Sequence, residues 1–176
     1  SETWEVVIGG EWVLSSSIPA AATANNVTVR SGHTVTVNNH ITIDQLVVEA
    51  DAQVITSFDK NIIVSDGAGD DMVVYGSLTT SGTTNQGSIG LSGNGKVIIH
   101  GDYYWQSGGI TNTDFWVAPS GTLHLDGSVR IMRQNAVLNN QGTVLHYHNG
   151  GNLAGVGNSI FNNLEGGVYH AMGSCQ

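Results

Sequence analysis

The densest chemistry in the sequence is the run Gly101-Asp-Tyr-Tyr-Trp-Gln106, with Phe115-Trp116 a short stretch further on. Read as a strand, the run alternates, so Tyr103 and Trp105 share one face and Tyr104 takes the other. Sugar rings have apolar faces that pack on flat aromatics, and their hydroxyls bond to groups such as Asp102, Gln106 and Asn112. Asp102, Tyr103, Trp105, Gln106 and Trp116 are therefore the candidate ligand-binding set, for a polysaccharide or cell-surface glycan. The blander reading is that one face of this strand fills a core while Trp116 covers a bend; a protein contact is a third.

Four of the seven histidines, at 124, 146, 148 and 170, fall in the last third of the chain. Aligned on nearby glycines, Leu125, His146 and His170 share one place, which would stack two imidazoles about 4.8 Å apart with Cys175 in reach. Neither H-x-x-x-H nor C-x-x-C spacing occurs, and a slip of one residue reverses every face, so no metal site is assigned. Asp66-Gly-Ala-Gly-Asp70-Asp71 gathers three carboxylates round two glycines but lacks the ligand order of a calcium loop, and reads first as a solvated bend.

Catalysis would need a carboxylate pair or a carboxylate with a base. Asp102, Asp114 and Asp126 recur at intervals of 12, so Asp102 and Asp126 on neighbouring coils are the candidate acid and base of a glycoside hydrolase or polysaccharide lyase. Arg130 and Arg133, near Asp126, would neutralise an acidic sugar. No G-x-S-x-G occurs, and Gly93-Asn-Gly95-Lys96 lacks the long glycine loop and hydroxyl of a phosphate cradle. No motif implies a cofactor. Thr34, Thr36, Thr42, Thr79 and Thr80 are too irregular for an ice-matching array, and Asn26-Val-Thr28 fits a glycosylation acceptor.

The elements that must position these groups are short. Val27 and Val29, Val35 and Val37, Ile41 and Ile43, and Val97 and Ile99 alternate with other residues in runs too brief for helices. A small residue followed by alternating apolar positions recurs at Gly32, Ala52, Gly76, Gly95, Gly121, Gly142 and Gly166, with a mean step of about 22 residues. Parallel strands without helical crossovers fit a coil in which each residue pairs one turn later. The expectation is an all-β, right-handed parallel β-helix of six to seven coils over 26–176, behind an N-terminal capping segment at 1–25 carrying Trp4 and Trp12. Its ladders would run Val97, Leu123, Val144 and Val168, with Ile99 and Leu125 beside them. Too few Asn-Gly and Asp-Gly pairs occur for the hairpins of a sandwich.

Composition agrees. Among 176 residues 24 are Gly and only 11% are charged, and the net charge of −9 fits poorly with nucleic acid. No apolar run is long enough for a membrane helix, so no membrane insertion is expected. The single Cys175 cannot form an internal disulfide, and a start at Ser1 is what a processed module would show.

The phrases Ser31-Gly-His-Thr-Val35 and Gln45-Leu-Val-Val48, preceded by Thr3-Trp4 and Gly9-Gly10, resemble the G8-type and related β-helical repeats of secreted bacterial surface proteins over roughly residues 3 to 56. That resemblance implies an exported module, secreted or at the cell surface, within a larger multidomain protein linked to adhesion or polysaccharide processing. It implies no shared catalytic motif. The leading expectation is thus a non-catalytic β-helix that binds polysaccharide or spaces and displays other domains, with the hydrolase or lyase reading as the alternative. An uncapped last coil would invite homodimerisation through the open end.

Overall fold

The computed structural model describes residues 4–8, 11–15, 26–82, 89–147 and 151–173. Every helix or strand assigned among them is a strand. From Val27 onward the chain winds as a parallel β-solenoid of about six turns, each turn adding one strand to each of three sheets.

The first face stacks Val27–Val29, Leu46–Val48, Met72–Val74, Lys96–Ile99, Asp114–Val117, Val137–Asn140 and Ile160–Asn163. The second stacks Thr34–Val37, Gln53–Thr56, Ser77–Thr80, Asp102–Trp105, Thr122–Leu125, Thr143–Tyr147 and Val168–Met172. The third stacks Ile41–Ile43, Ile62–Val64, Ile89–Ser92, Gly108–Thr111, Arg130–Arg133 and Leu153–Gly155. Neighbouring strands of all three pair in parallel, because a whole turn of the coil supplies the crossover that a helix supplies elsewhere. Ahead of them, Trp4–Ile8 pairs antiparallel with Glu11–Ser15. The expected cap at 1–25 otherwise lies outside the described residues, as do the side chains of Trp4 and Trp12.

Alternation decides what is inside. Lys96–Ile99, Asp114–Val117 and Thr122–Leu125 each bury every second residue. The inward columns are apolar ladders, among them Met72, Val97, Phe115 and Leu138 on the first face and Leu78, Tyr103, Leu123 and Val144 on the second. Removing these apolar surfaces from water is the main stabilising force of the fold. The fourth and fifth coils hold the large rings Tyr103, Trp105 and Phe115, none with any solvent exposure.

The expected ladders hold in part. Leu123 does lie over Val144, but Val97 belongs to the first face and Val168 points outward, its successor Tyr169 continuing the column. The cause is that a small residue marks two different corners. The corner leading into the second face carries Gly76, Gly101, Gly121, Gly142 and Gly167, whereas Gly95 opens the first face. At that second-face corner a Cβ on Gly76, Gly101, Gly121, Gly142 or Gly167 would lie 2.1–2.3 Å from a carbonyl oxygen of an earlier turn, so the backbones stack closer than any side chain allows. Asn112 and Asn135 sit at other bends with φ of 54° and 63°. In the last turn Phe161 and Tyr169 occupy inward columns yet remain 36% and 40% exposed.

Candidate functional site

The outward side of the second face carries the chemistry. Asp102–Trp105 pairs in register with Thr122–Leu125, which puts Tyr104 beside His124 on the outside while Tyr103 lies beside Leu123 and Trp105 beside Leu125 within. The Tyr104 and His124 rings stack with centroids 4.3 Å apart and planes 15° apart. His124 bridges two further groups: its Nε2 lies 2.8 Å from Asp102 Oδ1, and its Nδ1 lies 3.0 Å from Tyr147 Oη. A carboxylate can only accept, so Nε2–H donates to Asp102 and Nδ1 accepts the Tyr147 hydroxyl. Asp102 thereby fixes both tautomer and ring plane, and the Tyr147 ring lies within 8° of the same plane. His124 is largely covered, Asp102 is half exposed and Tyr104 is exposed. Partial burial raises the Tyr104 phenol above its ordinary pKa, with the negative charge of Asp102 and then Tyr147 adding to the effect.

A second ring pair precedes this one along the chain, one turn earlier. Tyr75 stacks on His100 with centroids 4.8 Å apart and planes 12° apart, just before the glycine corner. No lysine or arginine occupies any strand position of the second face, so nothing on its strands attracts an anionic chain.

The sequence-derived set is divided by the fold. Tyr103 and Trp105 are interior residues: their rings stack 6.4 Å apart, Phe115 packs on Tyr103 at 5.4 Å, and the Tyr103 hydroxyl bonds to Thr80 at 2.7 Å. They cannot form a ligand surface, because the apolar partners at Leu123 and Leu125 fix that side of the strand inward. Trp116 is on the first face, its Nε1 donating to Asp114 at 2.9 Å and Lys96 Nζ standing 5.7 Å from its ring. Asp102 stays in the site and Gln106 follows at the exposed end of the same strand. Tyr104, His124, Tyr147, Tyr75 and His100 are the functional candidates that sequence reasoning passed over. Their signal was the pattern Thr-Leu-His-Leu at 122–125, which turns His124 outward once Gly101 is aligned with Gly121.

The other expected groupings fare variously. Asp102 and Asp126 do lie on adjacent turns, but Asp126 follows four residues after Thr122, the partner of Asp102. Their Cα atoms are therefore roughly 14 Å apart at strand and coil spacings, too far for the retaining-glycosidase pair distance of about 5 Å but within side-chain reach of the roughly 6.5–9.5 Å of an inverting acid and base. Arg130 is wholly buried, its Nη2 donating to the Gly151 carbonyl and lying 3.4 Å from His146 Nε2, and cannot neutralise a surface substrate. Arg133 sits on the third face. His146 pairs with Ala171, not His170, so the expected imidazole stack does not form; His146 instead bonds Tyr169 at 2.6 Å. His148 and Cys175 lie outside the described residues.

In the acidic loop, Asp71 is buried and accepts the Gly67 and Lys96 N–H groups at 2.8 and 2.7 Å, while Asp70 pairs with the Lys96 ammonium at 3.2 Å. Two of the three carboxylates thus organise the bend. Among the described residues no group of three or more His, Cys, Asp or Glu side chains is placed to hold a metal ion, and no helix is long and apolar enough to cross a membrane.

These features define a parallel β-solenoid with an aromatic, acidic outer stripe. Comparison with protein-family models, curated proteins and solved structures finds no match.

Proposed function

We propose that the protein is a non-catalytic glycan-binding module, exported and carried at the cell surface, whose site is the outer second face at Asp102, Tyr104, His124 and Tyr147. The observation that carries this reading is the Tyr104 ring, exposed and held flat on an imidazole whose plane is locked by Asp102 and Tyr147. A ring fixed before the ligand arrives loses little entropy on binding, and the part of it left in water, between His124 and Thr79 of the neighbouring turns, suits the apolar side of a sugar. Asp102 and Gln106 offer polar groups to hydroxyls at its edge. With no lysine or arginine on the strands of this face and a net charge of −9, the ligand is a neutral sugar chain and not a uronate. The likeness of residues 3 to 56 to G8-type repeats supports export and membership of a larger protein.

Affinity electrophoresis in gels containing neutral or acidic polysaccharides tests this. Tyr104→Ala should abolish retardation by a neutral polymer, polyuronate should retard neither protein, and added salt should leave the retardation unchanged. Unaltered retardation of Tyr104→Ala would overturn the assignment.

One observation favours a second reading. Asp102, His124 and Tyr147 form a hydrogen-bonded chain that ends in a hydroxyl, an arrangement also able to move a proton. Release of reducing ends from a bound polymer, lost in His124→Ala, would convert the binding face into a catalytic one.

A further inference from the structure

We propose that Tyr75 and His100 form a second sugar subsite, continuous with Tyr104 and His124 round the Gly101 corner, so that the ligand is an extended neutral chain and not a single terminal sugar. This rests on the reading of the second face as a glycan site.

The two ring pairs share one construction. In each, a tyrosine of one turn lies over a histidine of the next, with planes within 15° of parallel. The backbone sets the first pair: Tyr75 N–H donates to the Val48 carbonyl and His100 N–H to the Val74 carbonyl, so Tyr75 and His100 occupy one corner column on successive turns. Tyr75 is 51% exposed, and an aromatic ring half in water has apolar surface left for a ligand.

The pairs are also joined through a single turn. His100, Asp102 and Tyr104 alternate along the chain either side of Gly101, and Asp102 and Tyr104 project from the outside of the strand. His100 and Tyr104 are four residues apart, at most roughly 13 Å along an extended backbone and less round the bend. Asp102 stands between the ring pairs with a carboxylate oxygen beyond the one bound to His124, free to accept from a sugar hydroxyl. The corner itself is rigid, since a Cβ at Gly101 would meet the Gly76 and Tyr75 carbonyl oxygens at 2.1 and 2.3 Å. The spacing of the two platforms is therefore set by stacked backbone. Among the described residues no lysine or arginine lies on a strand of the second face, which favours a neutral occupant along the stripe.

The test is calorimetric titration with ladders of neutral β-1,4-gluco-, β-1,3-gluco-, manno- and xylo-oligosaccharides. In the wild type, affinity should rise at least about tenfold from the shortest to the longest member of the series that binds. Tyr75→Ala should bind the long oligosaccharide no better than the short one and leave the short one unchanged, while Tyr75→Phe, which keeps the ring, should restore the length dependence. Tyr104→Ala should bind neither. If Tyr75→Ala matches the wild type at every length while Tyr104→Ala fails to bind, the second subsite is refuted and the glycan reading stands. If the wild type binds no member of any ladder, both are refuted. The melting temperature of Tyr75→Ala, whose ring is half exposed, should stay at the wild-type value and so separate lost contact from lost fold.

Discussion

Tyr103 and Tyr104 are neighbours in the chain and opposites in the fold: the first has no solvent exposure and bonds to Thr80 within the coil, the second is 36% exposed and stacks on His124 outside it. Substitution should therefore separate stability from binding. Tyr103→Ala empties a space between Trp105, Phe115 and Leu123 and leaves the Thr80 hydroxyl unpartnered, a loss of roughly 3–5 kcal/mol. Tyr104→Ala removes one stacking contact at the surface and should cost about 1 kcal/mol or less while eliminating glycan retention. Urea unfolding of the two variants beside the gel assay checks the division; equal destabilisation by both would refute it.

That contrast also shows how far the sequence could be read. The period near 22, the alternation and the shortage of hairpin signals were enough for a parallel solenoid, because each reflects a local requirement of strands and bends. Which side of Asp102–Trp105 faced water was not local. It depended on aligning Gly101, not Gly95, with Gly121, and both glycines satisfy the same small-residue rule. The turns differ in length, so an alignment by glycine alone drifts, and one wrong corner exchanges Tyr104 for Tyr103 as the exposed ring. The bond between His124 and Tyr147 was hidden for another reason, since it joins residues 23 apart through a full turn of the coil.

Alkaline pH should act through Tyr103. Burial pushes its phenol well above the ordinary value, and the hydrogen bond from Thr80 pulls back only part of that rise. The folded state then keeps a proton that the unfolded chain releases near pH 10, so the stabilisation is complete below about pH 10 and declines as pH climbs toward the raised folded value. Each pH unit in that window removes up to about 1.4 kcal/mol. Tyr103→Phe cannot ionise, so its urea midpoint should fall less than that of the wild type between neutral pH and about pH 11. Parallel declines would show that Tyr103 is not the group responsible.

Arg130 is a buried cation whose Nε and Nη1 have no hydrogen-bond partner among the described residues, and burial lowers its pKa against the opposing influence of Asp126 and Tyr169. Breaking a buried ion pair costs roughly 3–5 kcal/mol because it strands a charge, but here no carboxylate among the described residues is hydrogen-bonded to the guanidinium, and Asp126 acts on it only through its charge. Arg130→Met should therefore leave stability unchanged or raise it by up to about 2 kcal/mol, the lost donor to the Gly151 carbonyl being offset by the removed desolvation. Guanidinium unfolding measures this directly, and a loss above about 3 kcal/mol would mean that the guanidinium has an ionic partner in solution.

The glycine corner gives the last prediction, because it links the coil to the site. A methyl group at Gly101 would sit 2.1 Å from the Gly76 carbonyl oxygen, and backbone cannot rotate away as a side chain can. Gly101→Ala should cost at least about 2 kcal/mol and, by shifting the fourth turn against the third, move His100 relative to Tyr75 and Asp102 relative to His124. Gly155→Ala is the control: its nearest contact is the Ser159 hydroxyl at 2.8 Å, a rotatable group, and the cost should be below about 1 kcal/mol. Near-ultraviolet circular dichroism of Gly101→Ala should change in the tyrosine region while that of Gly155→Ala should not. Similar melting temperatures for the two would mean that the turns are not stacked as tightly as the Gly76 and Gly101 contact requires.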